Sequence, residues 1–201
     1  MEKPDYEKVK REMNGLLSSF LDYTTDRLSS ITRYSTKRAI TTQSVMQHLG
    51  SVTLIAMIFS DYLNKIGMKN DTERVMRMAI IHDADEIVSG DIPHPAKYQQ
   101  GAISENLRTS LNKLSDYTIR NTLQMLNNQE MFNSYYGLYA EEKQRTTIEA
   151  KIVKLADFAD VIIFCIQEKR LGNSTISQIQ DEAEKKFGEL LQETLGQNRL
   201  E

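Results

Sequence analysis

The chain is organised around residues 82–95, which read HDADEIVSGDIPHP. This stretch places an imidazole and a carboxylate side by side at His82 and Asp83, and Glu86 adds a carboxylate one helical turn later. Gly90 then ends the turn, because glycine readily adopts the left-handed conformation that follows a helix. Such groups after a mostly apolar run are costly to bury without a compensating charge, which a cation would supply. The competing interpretation, solvated groups at a frayed helix end, fits the apolar run at 76–81 poorly.

Two further residues extend this stretch into a candidate metal site. His48 lies upstream, and Asp157 lies downstream within an apolar helical pattern. Together with His82 and Asp83 they offer two imidazoles and two carboxylates, a set that suits Mn, Co, Fe or Zn by ligand type. We therefore predict one divalent metal ion and leave its identity open. A salt bridge to Lys154, one turn earlier, is the alternative role for Asp157.

The composition predicts a single domain, residues 1–201, with a sizeable core. A net charge of −3 gives no reason to expect binding to a nucleic-acid polymer or to a membrane surface. The single cysteine, Cys165, cannot form an internal disulfide, which fits a reducing compartment. The first residues lack the apolar core of a signal peptide, and the longest mostly apolar run, residues 52–59, is too short to span a bilayer. We therefore expect a cytoplasmic protein.

Apolar residues recur three or four positions apart along nearly the whole chain, which predicts an all-α fold. Residues 5–30 carry one such stripe. Ser44 and Gln47 have the spacing of a capping box, so a helix is predicted to start there and to carry His48 in its first turns.

The remaining helices follow from the same periodicity. Residues 70–73 also have capping-box spacing, and the helix they open is predicted to continue through the His-Asp pair to Glu86. Further helices are predicted over residues 104–128 and 141–168 and from Ser174 onward, whereas residues 131–140 are aromatic and receive no assignment.

Two loops border the candidate site. Residues 33–42, RYSTKRAITT, are basic and poorly periodic, and a loop of this composition suits an anionic, ring-bearing ligand. From the loop alone, solvated charge is the simpler explanation. Residues 91–97 form a second, stiff loop, because each proline fixes its own φ and restrains the preceding residue. We expect His94, between two prolines, at the surface rather than as a third imidazole ligand.

The order of these residues resembles that of the HD-domain metal-dependent phosphohydrolases: a lone histidine, a His-Asp doublet, and a distant aspartate in the context KLAD. The longer string at residues 82–97, HDADEIVSGDIP followed by Pro95 and Lys97, is similar to the bacterial 5′-deoxynucleotidase (YfbR-like) branch. Arg33-Tyr34 also matches that branch, which has an arginine followed by an aromatic residue. The resemblance spans residues 10–170 and implies an HD-type helical bundle that forms a homodimer.

The resemblance also implies roles for individual residues. The metal ligands would be His48, His82, Asp83 and Asp157. Asp83 and Glu86 would form the catalytic pair, with Glu86 near the attacking water.

The resemblance also implies substrate contacts for residues of the two loops. Arg33 and Lys97 would hold phosphate, Asp91 would contact the sugar, and Tyr34 would pack near the sugar or base and help exclude a 2′-hydroxyl. Two departures stand out: Tyr34 replaces an expected tryptophan, and Gln47 precedes His48 where that branch commonly has glutamate.

These groups suffice for hydrolysis of a deoxyribonucleoside 5′-monophosphate. A metal ion held by such ligands acidifies water and polarises a phosphoryl oxygen, and Glu86 is placed to transfer a proton. Three alternatives stay open. A dNTP triphosphohydrolase would need further cations, for which the candidates are Lys37, Arg38, Lys113 and Arg120. A catalytically silent HD binding module is disfavoured by the complete ligand set, and a paired-iron oxygenase by the lack of additional histidines.

Overall fold

The computed structural model describes residues 3–92 and 102–197 and is helical throughout most of them. Its helices, with one π-helical and one 3₁₀ turn between them, are α1 Tyr6–Leu16, the π turn Leu17–Leu21, α2 Asp22–Ser30, α3 Val45–Lys65, α4 Thr72–Ala79, α5 Glu86–Ser89, α6 Ala102–Gln124, α7 Gln129–Gln144, α8 Ile148–Arg170, the 3₁₀ turn Ser174–Ile176 and α9 Ser177–Gln197. Within the described residues no β-strand occurs, and an isolated bridge joins Thr32 and Ser44. The predicted all-α fold is confirmed.

The core lies where α3, α4 and α8 pack together. Val52, Val75 and Ile152 are completely buried there, and Leu138 of α7 closes the cluster from the side. Burying side chains of this size stabilises the fold by about 1.5–3 kcal/mol each. This packing holds α3 against α8, the two helices that carry His48 and Asp157.

The predicted capping box at the start of α3 is confirmed. The Ser44 hydroxyl accepts a hydrogen bond from the Gln47 backbone at 3.2 Å, and the Gln47 side chain accepts one from the Ser44 backbone at 2.8 Å. Since both bonds fix the first turn, they also fix the direction of His48 at its end.

The helix predicted to run through the His-Asp pair is wrong, because α4 ends at Ala79. The Nδ1 atom of His82 bonds to the Ala79 carbonyl at 2.8 Å, which takes the acceptor that a continuing helix would use. Backbone bonds between residues three apart follow, such as Ala84 N to Ile81 O at 3.1 Å. The His-Asp pair therefore lies on a tight turn, the HD turn (residues 80–85), and α5 begins at Glu86.

Two other helix boundaries also differ from the predicted ones. The helix predicted over residues 141–168 is two helices, because Arg145 has a left-handed φ of 56° and Thr147 caps a new start. The unassigned aromatic residues 131–140 belong to α7. Near the end of the chain, a 3₁₀ turn capped by Asn173 begins at Ser174, and α9 itself begins only at Ser177.

The basic loop between α2 and α3 is held at both ends. Arg33 donates from its backbone to Gln43 at 2.9 Å, and Val45 donates to Ile31 at 3.0 Å. The buried carboxylate of Glu168 on α8 accepts from the backbone of Thr41 at 2.7 Å. The loop that begins with Arg33 is thus anchored to α8.

No helix among the described residues is long and apolar enough to cross a membrane. Lys97 and His94, the two loop residues singled out in the sequence, lie outside the described residues.

Candidate active site

Three predicted ligands form one compact cluster. His48, His82 and Asp83 each offer a ligand atom, and these atoms lie within 4.8 Å of one another. The Oδ2 atom of Asp83 is 3.5 Å from His48 Nε2 and 3.3 Å from His82 Nε2. Asp157 adds its Oδ1 atom, 3.4 Å from His48 Nε2. Packing of the HD turn against α3 and α8 thus brings residues that are up to 109 positions apart in the chain to one point.

Both imidazoles are oriented by a bond on the far side of the ring. Nδ1 of His82 donates to the Ala79 carbonyl, and Nδ1 of His48 donates to Asp160 Oδ2 at 2.7 Å. The Nε2 atoms of both rings are buried and have no hydrogen-bond partner among the described residues. This arrangement is typical of metal-binding histidines, whose other nitrogen is bonded to a carbonyl or carboxylate.

The charges around His48 favour a cation at this point. Burial and Arg33 act to lower the pKa of His48, but Asp157, Asp160 and Asp83 outweigh them and raise it to about 10. Three carboxylates that stabilise a proton on the imidazole also stabilise a metal ion beside it. The donor set and the unpartnered Nε2 atoms therefore fit a divalent metal ion.

Asp160 and Gln43 are site residues that the sequence reasoning did not select. Asp160 is 2% exposed and also accepts a hydrogen bond from Gln43 Nε2 at 3.0 Å. A signal for Asp160 was present, since it lies three residues after Asp157 in an apolar helical pattern and therefore on the same side of α8.

Glu86 lies at the end of the HD turn and is 5% exposed. Its backbone N–H donates to the Asp83 carbonyl at 3.0 Å, which fixes its distance from the cluster. It borders a cleft of about 460 Å³ between α5, α6 and α7, whose other charged lining residues are Asp85, Arg108, Asp116, Lys143 and Arg145. A buried carboxylate between a metal site and a cleft is well placed to exchange protons with a bound substrate.

Arg33 lies near the carboxylates of the cluster. Burial acts to lower its pKa, but the nearby carboxylates of Asp157, Asp83 and Asp91 raise it, so the guanidinium stays charged. Its Nε and Nη1 atoms are buried and lack a hydrogen-bond partner among the described residues. A charged planar group with unused donors suits two-point contact with a phosphoryl group.

Tyr34 and Asp91 join the two loops. The Tyr34 backbone N–H donates to Asp91 Oδ2 at 3.0 Å. The Tyr34 ring stacks on Phe164 with centroids 4.3 Å apart, so the structure places it against α8. Tyr34 has a φ of 57°, a rare value for a residue with a large side chain, and the Asp91 bond and ring stacking together hold it there.

The cations considered for a triphosphate are exposed or bonded to residues outside this cluster. Lys37, Arg38 and Lys113 are exposed side chains. Arg120 is bonded to Asp116 at 2.8 Å and also contacts Tyr136. Their placement gives no specific support for a larger phosphate group.

Similarity to solved structures identifies the class of protein. The chain is 25% identical to an HD-domain phosphohydrolase from Listeria innocua, with a TM-score of 0.68 over 82% of this chain and 76% of that one. It also shares its fold with the HD phosphohydrolase of cyanophage S-2L, which was solved with dA and one catalytic Zn²⁺ ion (17% identity, TM-score 0.54, 87% of this chain and 92% of that one). The fold is that of the HD-domain phosphohydrolases.

The sequence identifies the family within that class. Residues 19–196 match the 5′-deoxynucleotidase YfbR-like family, and the chain belongs to it. A relative from Erwinia tasmaniensis, a 5′-deoxynucleotidase, is 30% identical over 149 residues, which are 74% of this chain and 72% of that protein. The predicted family is confirmed, and the protein is a hydrolase.

Proposed function

We propose that this protein hydrolyses deoxyribonucleoside 5′-monophosphates to a deoxynucleoside and phosphate. The observation that carries this proposal is the buried cluster of His48, His82 and Asp83 with Glu86 beside it, in a chain of the 5′-deoxynucleotidase YfbR-like family. A cluster of this kind also argues against a silent binding module, because each member of the hydrolytic set is present.

The proposed metal ligands are His48, His82, Asp83 and Asp157. When bound, a divalent ion lowers the pKa of water and polarises a phosphoryl oxygen. Ligand type suits Mn, Co, Fe or Zn, and the cyanophage protein of the same fold holds Zn²⁺.

Glu86 has a proposed role in proton transfer, and Arg33 and Lys97 have proposed roles in binding the phosphoryl group. Glu86 accepts the proton of the attacking water or supplies one to the leaving 5′-oxygen as the phosphorus–oxygen bond breaks. Arg33 neutralises charge on the phosphoryl group, and the family resemblance assigns the same role to Lys97, which lies outside the described residues.

The proposed sugar contacts are Asp91 and Tyr34. The bond between them ties the second loop to the loop of Arg33, so a phosphate held by Arg33 has its sugar near both residues. Tyr34 restricts the space for a 2′-hydroxyl. A Tyr34→Trp variant introduces the tryptophan that the family resemblance leads us to expect here, and it is expected to sharpen discrimination between deoxyribose and ribose.

The test is a product assay on protein supplied with Co²⁺, Mn²⁺ or Zn²⁺, with dNMPs, matching ribonucleotides and dNTPs compared side by side. The expected result is free phosphate from dNMPs and little from ribonucleotides. Triphosphate released from dNTPs would replace this function with triphosphohydrolysis. Absence of turnover on every substrate, with bound metal verified by elemental analysis, would contradict the substrate assignment.

We also propose that residues 1–201 form one domain, that the protein is a homodimer and that it acts in the cytoplasm. The first follows from chain length and the second from the family resemblance. The third follows from the absence of a paired cysteine. Light scattering coupled to size-exclusion chromatography tests the dimer, and a measured monomer mass would contradict it.

A further inference from the structure

In each of the two carboxylate ligands, one oxygen faces the metal cluster and the other faces a lysine. Asp83 directs Oδ2 toward both imidazoles, and its Oδ1 atom is 3.9 Å from the ammonium group of Lys143. Asp157 directs Oδ1 toward His48, and its Oδ2 atom accepts a hydrogen bond from Lys154. Each carboxylate is thus divided between the metal cluster and a lysine.

Lys143 is held in this position by a set of oxygens. Its Nζ atom donates to the His82 carbonyl at 2.9 Å and lies 3.7 Å from Asp85 Oδ1 and 3.6 Å from Glu142 Oε2. Those two carboxylate oxygens are buried without a hydrogen-bond partner among the described residues, so the ammonium charge is what compensates them. The Tyr139 ring covers the ammonium group from another side, 5.0 Å away.

We propose that Lys143, beside Asp83, and Lys154, beside Asp157, are positioning residues. Each lysine keeps its aspartate a one-oxygen ligand of the metal. The proposal rests on the metal-dependent reaction proposed above. A carboxylate can offer one oxygen or both to a cation. An ammonium group that engages the outer oxygen leaves the inner oxygen as the ligand.

The number of ligand atoms matters because catalysis needs free positions on the metal. Two imidazole nitrogens and two single oxygens leave room for water and for a phosphoryl oxygen. If both aspartates offered two oxygens, the same four side chains would fill six positions and exclude water. Lys143 and Lys154 therefore protect the positions in which the chemistry takes place.

The test replaces Lys143 with Met, which keeps length and removes charge, and follows Mn²⁺ binding by calorimetry and by water-proton relaxation. Loss of the charge and release of Oδ1 both favour the cation, so the Mn²⁺ Kd is expected to fall by about five-fold or more. Relaxation enhancement per bound Mn²⁺ is expected to fall with the loss of bound water, and kcat with it. Lys143→Gln is a second neutral variant in case the Met variant folds poorly.

Two control variants test whether the effect depends on the positive charge of the side chain and on its place beside Asp83. Lys143→Arg keeps the cation and is expected to retain the wild-type Mn²⁺ Kd and relaxation. Lys185→Met removes a charge from an exposed side chain of α9, 76% accessible, and is expected to change neither quantity.

A neutral Lys143 variant with wild-type Mn²⁺ Kd and wild-type relaxation would overturn the proposal. A rise in KM alone would also overturn it and would make Lys143 a substrate contact. Neither metal readout uses a nucleotide, so failure of the substrate assignment, seen as an inactive wild-type protein, is distinguishable from failure of this inference.

Discussion

The first prediction concerns Asp160, which accepts a hydrogen bond from Nδ1 of His48, the ring nitrogen that faces away from the metal cluster. Asp160→Asn removes the charge that accepts the Nδ1 proton at 2.7 Å while keeping the size of the side chain. Replacing such an outer partner of a metal-binding histidine typically weakens metal binding about 10–100-fold. In free energy this is about 1.4–2.7 kcal/mol. We expect the Kd for Zn²⁺ or Co²⁺ to rise by this factor, with kcat at saturating metal largely retained.

The assay is a competition titration between the protein and a chelator of known affinity. Asp181→Asn, an acid-to-amide change at an exposed position of α9, is the matched control. Gln43→Leu removes the second bond to Asp160, at 3.0 Å, and is expected to give a smaller loss in the same direction. If Asp160→Asn binds metal as tightly as the wild type, the orientation of His48 does not depend on Asp160 and the reasoning fails.

Three further predictions follow from the same geometry. Asp83→Ala is expected to lose bound metal and activity together, whereas Glu86→Gln is expected to keep metal and lose about 10²–10⁴-fold in kcat; elemental analysis beside the product assay separates the two, and an active Glu86 variant would reassign the proton transfer. Arg33→Met is expected to raise KM for a monophosphate by about ten-fold or more, because a charge-assisted contact is lost; an unchanged KM would remove Arg33 from the phosphate site. Burial acts to raise the pKa of Glu168, but hydrogen bonds from Thr41, Asn173 and Ile40 lower it from 4.5 to about 2. Its contribution to stability is therefore complete above pH 4.5 and is lost as the pH falls toward 2. The difference in free energy of unfolding between wild type and Glu168→Gln, measured with urea, is expected to shrink over that range, and a constant difference would contradict the assignment.

Local patterns in the sequence were enough to predict an all-α fold and the cap of α3. The capping box at Ser44 uses bonds between residues three apart, so its outcome depends on little beyond the segment itself. The end of α4 was not predictable in this way. Residues 76–81 keep a helical spacing of apolar side chains, and no glycine or proline marks a break. What ends the helix is the side chain of His82, which takes the carbonyl of Ala79.

The metal ligands can be predicted from the sequence, whereas the role of Lys143 cannot. His82 and Asp83 are adjacent, so their chemistry is visible in the sequence, and His48 and Asp157 follow from residue type and order. Lys143 is different, because its importance comes from the packing of α7 against the HD turn. Nothing in the residues near Lys143 shows that its side chain crosses to a carbonyl 61 positions earlier.

The balance of charge in this site leads to a final expectation about metal removal. Among the described residues, six carboxylates surround the cluster and its lysines, namely Asp83, Asp85, Glu86, Glu142, Asp157 and Asp160. Four cations accompany them in the metal-free protein, namely Arg33, Lys143, Lys154 and the protonated imidazole of His48. Excess negative charge in a largely buried place destabilises the folded chain, so a divalent ion should stabilise it.

A ligand present at 100 times its Kd stabilises a fold by about 2.7 kcal/mol. For a chain of this length that corresponds to a rise in Tm of about 5–10 °C. Chelation by EDTA is therefore expected to lower Tm by this amount, and Asp83→Ala, which cannot bind the metal, is expected to be insensitive to EDTA. An equal Tm with and without metal, in protein shown to bind one equivalent, would mean that the unfolded chain binds the ion as tightly as the folded chain does. The reasoning that the fold builds the metal site would then be refuted.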